Sequence, residues 1–142
     1  MQDKARLFAY STWAIMISLA IILFTNRFLT FVAQPGWEGL VVLLVFGFVY
    51  MNLVFTVVKR YIRKVPAPTQ LHNLLGVLVF LPPACWIVIS ATAISTDEIL
   101  ILAVLVLACG LGIYFGNRAG IRARYEYIQK LKEYQEKQTE KK

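Results

Sequence analysis

Lys59-Arg60-Tyr61-Ile62-Arg63-Lys64-Val65-Pro66-Ala67-Pro68-Thr69-Gln70 is the stretch whose reading decides the fold. It carries four cations, no anion and two prolines, and it separates two long apolar runs. Outward from it, the other cations fall in step. Lys4 and Arg6 precede the first apolar run, and the remaining cluster, Arg118 to Lys142, follows the fourth. The two intervening connections carry Arg27, Glu38, Asp97 and Glu98 and are nearly free of basic residues. Cytoplasmic connections of membrane proteins are enriched in Lys and Arg, so this alternation predicts four spans with both termini in the cytoplasm, most simply of the plasma (inner) membrane.

Composition agrees. Of 142 residues, 58% are hydrophobic and only 16% charged, against about 25% charged in soluble proteins. No segment between the runs is long enough for a separate core, because a water-soluble unit of about 40 residues normally needs disulfides or a metal. The net charge of +7 is accounted for by topology and by attraction to anionic headgroups. The expected partners therefore include membrane lipids, not nucleic acid; in the tail, acids interrupt any continuous basic track.

A span needs about 20 apolar residues at a rise of about 1.5 Å each. The predicted spans are about 7–24, 37–58, 71–94 and 97–117. The first is read as a retained span, not a cleaved leader, since Thr25-Asn26-Arg27 follows it without a small-residue cleavage signature. Gln34-Pro35-Gly36 should end it, and Trp37 suits the interface at the start of the second. The third opens after Thr69, an N-cap type, and contains Pro82-Pro83, which predicts a kink or local unwinding near Leu78 and Val79. Ser95-Thr96-Asp97-Glu98 reads as a capping box before the fourth, and so short a connection predicts a tight antiparallel hairpin of spans three and four. The fold is thus all-α, an integral membrane four-helix bundle over 1–117, with a basic cytoplasmic helical extension over 118–142. That extension should continue span four as one helix, straight or bent near Gly116 to Gly120, to about Gln135, with Thr139 to Lys142 frayed.

Two patterns go beyond topology. Ala108, Gly112, Gly116 and Gly120 place a small residue at every fourth position, a smooth groove for helix packing in lipid, where association depends on close backbone approach. Another span of the same chain, a second copy or a partner's helix can fill it. Ile121, Tyr125, Ile128, Leu131 and Tyr134 form a narrow apolar stripe on the extension, flanked by Glu126/Lys130 and Glu133/Lys137 at the spacing that supports a helix. Such a stripe suits a coiled-coil seam, a partner groove or a bilayer surface.

Catalytic chemistry has little foothold. His72 is the sole histidine and stands beside Asn73 and Gln70 without a nucleophile near it in sequence. Cys85 and Cys109 lie inside apolar runs with neither CxxC spacing nor acidic neighbours, and read as packing residues. Inside the spans, apart from Glu38, Asp97 and Glu98 at their ends, there is no Asp, Glu, Lys or Arg of the kind that marks ion pathways. Asn52 and Thr56, with carbonyls freed by Pro82 and Pro83, are the residues from which a polar path would be built. No cofactor, metal site or small-molecule substrate is expected. The functional expectation is a non-catalytic accessory, assembly or scaffold subunit that engages a membrane-protein partner, or a second copy, through the glycine groove and the tail. A small oligomeric channel or transporter is the first alternative, and a lipid-modifying enzyme using the His72 region the second.

Overall fold

The computed structural model describes residues 2–32, 37–65, 69–90 and 96–139. They form four helices: α1 (Gln2–Val32), α2 (Trp37–Lys64), α3 (Thr69–Ser90) and α4 (Thr96–Thr139). The expected break at Gln34-Pro35-Gly36, the Pro66-Ala67-Pro68 connection and the capping box beginning at Ser95 lie outside the described residues, as do residues 91–94 of the expected third span and the last three positions.

All four helices are long and apolar enough to cross a membrane. Their outward surface is that of a membrane protein. Phe8, Trp13, Phe48, Val77, Val88 and Leu107 stand exposed along the bundle, where lipid tails supply the contacts that water would refuse. By fold, the chain is an all-α, multi-pass four-helix bundle.

Packing follows a ring. α1 lies against α2 and α3, α4 lies against the same two, and α2 meets α3 more lightly across the middle. The most extensive pair is α2 with α4 rather than the hairpin of α3 with α4. The reason is local. Gly47 admits Val104 and Ala108, while Gly112, Gly116 and Gly120 admit α2 itself.

The inward face of α1 is small and polar: Ser11, Ala14, Ser18 and Thr25 are buried, with Ile22 among them. A soluble helix would turn that face to water. In lipid it permits close approach and interhelical hydrogen bonding. Tyr50 on α2, fully buried, donates from its hydroxyl to Ser18 Oγ at 2.8 Å.

α3 keeps helical structure through Pro82 and Pro83, both buried, so the expected local unwinding does not occur. Pro83 has no N–H to offer the Val79 carbonyl one turn earlier. The Cys109 thiol of α4 takes that carbonyl instead, with Sγ 3.8 Å from Val79 O.

α4 runs uninterrupted through Gly116 and Gly120. Its 44 residues measure about 66 Å, far more than the roughly 30 Å hydrocarbon core. It crosses residue 117 without a break.

Candidate functional sites: the α2–α4 seam, the polar groove and the tail

Along the seam, α2 and α4 rise in the same direction and in register. A Cβ on Gly112 would meet Met51 O at 2.8 Å and Val54 Cβ at 2.9 Å. One turn on, Gly116 faces Phe55 O and Val58 Cβ, each at 3.0 Å, and the next turn sets Gly120 against Ile62 Cβ at 2.8 Å and Lys59 O at 3.2 Å. Each glycine thus has a carbonyl in the direction a side chain would take, an arrangement suited to weak Cα–H···O contacts. Ala108 is buried at the near end of the same row. The groove read from the sequence is therefore filled by α2 of the same chain.

At the far end of the seam, two arginines close the C-terminus of α2. Arg6 Nη1 of α1 donates to Lys64 O at 3.3 Å, and Arg124 Nη1 of α4 donates to Val65 O at 3.1 Å. A helix C-terminus leaves carbonyls without partners and carries partial negative charge, so guanidinium groups are favoured there. Sequence reading assigned these cations to topology and missed this use. The spacing along the chain holds no signal for it, since Arg6 and Arg124 lie 58 and 59 residues from their acceptors. These bonds gather the start of α1, the end of α2 and the Arg124 region of α4 at one end of the bundle.

At that end three rings meet. Tyr61 of α2 stands edge-on to Tyr10 of α1 (centroids 5.7 Å) and to His72 of α3 (6.1 Å). Beside them a groove of about 540 Å³ runs between α2, α3 and α4. His72, Asn73 and Asn117 line its polar end, and Val77, Phe80 and Leu81 continue it as an apolar wall. His72 Nε2 and Asn117 Oδ1 are both buried without a hydrogen-bond partner among the described residues. Among the described lining residues there is no Ser, Cys, Asp or Glu, and His72 is the one acid–base group. Asn117 was not singled out from sequence. Its position one residue past Gly116 puts it on the face of α4 toward α3.

Asn52 and Thr56 differ from the prolines in burial. Both are exposed on α2 and bond back to their own helix: Asn52 Nδ2 donates to Phe48 O at 2.9 Å, and Thr56 Oγ1 to Asn52 O at 2.8 Å. Pro82 and Pro83 are buried instead. Cys109 is buried and Cys85 exposed.

Beyond Arg124 the helix leaves the bundle surface. Tyr125, Ile128, Leu131 and Tyr134 are exposed, with Ile121 just before them. Steps of three residues fall about 60° short of a full helical turn, so from Tyr125 to Tyr134 the stripe winds around α4 instead of running straight.

Fold and sites together define a small multi-pass membrane protein with an extended fourth helix. No family model matches the chain, and no curated protein or solved structure matches it.

Proposed function

We propose that the chain is a non-catalytic accessory, assembly or scaffold subunit, with both termini in the cytoplasm, that holds a membrane-protein partner through its α4 extension. The observation that carries this reading is the tail. Tyr125, Ile128, Leu131 and Tyr134 are exposed on a helix that continues to Thr139, about 22 Å past Arg124. Lone apolar residues on a surface need no explanation, but aromatic and aliphatic side chains winding around a projecting helix support a contact that wraps it. The glycine groove is taken up by α2, so the reading places the partner on the tail. The cytoplasmic assignment rests on the charge alternation.

Removing residues 125–142 tests it, because Arg124 and its bond to Val65 are retained. The truncated chain should insert normally and lose its partners in mild-detergent purification from the native membrane. Unchanged co-purification would refute the tail as the contact. Orientation is checked with impermeant thiol reagents on a Cys85→Ala, Cys109→Ala background. A cysteine at Gly36 or Thr96 should label from outside the cell and one at Arg63 should not.

A further inference from the structure

On the outer side of the α2–α4 seam, Lys59 of α2 and Arg118 and Arg122 of α4 border a second groove of about 330 Å³. Ala119 leaves its floor open, Phe55 and Phe115 wall its membrane side, and Glu126 is the single carboxylate among its lining residues. Three cations against one acid leave a surplus of two positive charges.

Depth is set by the two helices together. Lys59 is the first cation of α2 and Arg118 the first of α4 after their apolar runs. The seam register brings them to one level, since Gly120 faces Lys59 O. The groove therefore lies where both helices leave the hydrocarbon, with aromatic walls on the apolar side and cations on the other. Lys59 Nζ is 5.4 Å from the Phe55 ring centroid, and Arg118 Nη1 donates to Tyr114 OH at 3.5 Å, which draws both head groups toward the membrane side of the groove. Guanidinium groups match phosphate oxygens bidentately, and basic pockets between spans bind anionic headgroups.

We propose that this groove is a binding site for an anionic phospholipid, its phosphate held by Lys59, Arg118 and Arg122 and the start of its acyl chains laid along Phe55 and Phe115. A zwitterionic lipid brings a choline or ethanolamine cation that two surplus charges disfavour. The site ties the level at which α4 leaves the membrane to lipid charge.

Native mass spectrometry of the full chain, with phosphatidylglycerol and phosphatidylcholine titrated in parallel, tests the assignment. The expected result is at least tenfold stronger retention of phosphatidylglycerol. Lys59→Gln/Arg118→Gln/Arg122→Gln should abolish the preference, and Lys130→Gln/Lys132→Gln/Lys137→Gln, which removes equal charge from the tail, should keep it. Ala119→Leu retains every charge and fills the floor; it should also lose the preference, and it serves if the triple variant does not fold. Equal loss in the groove and tail triples would overturn the site in favour of diffuse attraction. Full preference in Ala119→Leu would overturn the groove as its place. Displacement of the lipid by millimolar inorganic phosphate would show a free-anion site and refute the lipid.

Discussion

Cys109 Sγ lies 3.8 Å from the carbonyl oxygen of Val79, the acceptor that Pro83 leaves without its helical donor. A proline inside α3 and a cysteine inside α4 thus form one arrangement. The proline removes an N–H, and the thiol, a weak donor, supplies a hydrogen in its place across the helix pair. This gives the Val79 carbonyl that Pro83 frees a donor within a continuous helix.

The pair should behave as coupled. Cys109→Ala should destabilise the protein in mild detergent, the interhelical bond accounting for about 0.6 kcal/mol. In a Pro83→Ala background, where residue 83 again donates to Val79, the same substitution should cost less. A double-mutant cycle by denaturant titration measures the difference; additive effects would mean that the contact contributes nothing.

The α2–α4 seam should tolerate no side chain at the three glycines that α4 brings to it. Gly112→Ala, Gly116→Ala and Gly120→Ala each place a Cβ within about 3 Å of α2, and overpacking of this kind typically costs about 1–3 kcal/mol. Gly110 has open space beside it, so Gly110→Ala should be neutral or mildly stabilising. Thermal unfolding of the four variants side by side provides the check.

Tyr50→Phe should destabilise the bundle through loss of the buried bond to Ser18. In membrane proteins such bonds average about 0.6 kcal/mol and reach about 1.7. Ser18→Ala should have little further effect once Tyr50 is Phe. Independent effects of the two substitutions would separate the residues energetically.

Arg6→Gln and Arg124→Gln should loosen the end of α2, because each removes a charged donor from a terminal carbonyl. The expected cost is about 0.3–1 kcal/mol for each. Hydrogen exchange followed by mass spectrometry should show faster exchange confined to peptides covering residues 60–65. Arg124→Lys should restore part of the protection, since it keeps the charge and loses the fork.

Much of the fold is legible in the sequence because membrane spans are specified locally. Length, apolarity and flanking charge each act over a single helix, so four apolar helices could be foreseen without knowing their neighbours. The small-residue row at Ala108, Gly112, Gly116 and Gly120 was legible for the same reason, as one face of one helix. Its occupant was not. The apolar stripe on α4 could be read as exposed or covered only once the end of the α2 contact, near Arg124, was known.

By itself, then, the sequence determined four apolar helices, an alternating charge pattern and a helical tail with an apolar stripe. Tertiary structure alone decided that α4 packs chiefly on α2, that Cys109 serves the Val79 carbonyl, that Arg6 and Arg124 close α2, and that Asn52 is exposed while Pro82 and Pro83 are buried. The reason is physical. In lipid the outer face of a span is as apolar as its inner face, so hydrophobic periodicity does not reveal which side faces inward. Pairing is settled by shape and by hydrogen bonds between residues far apart in the chain, and these exist only once the helices are brought together.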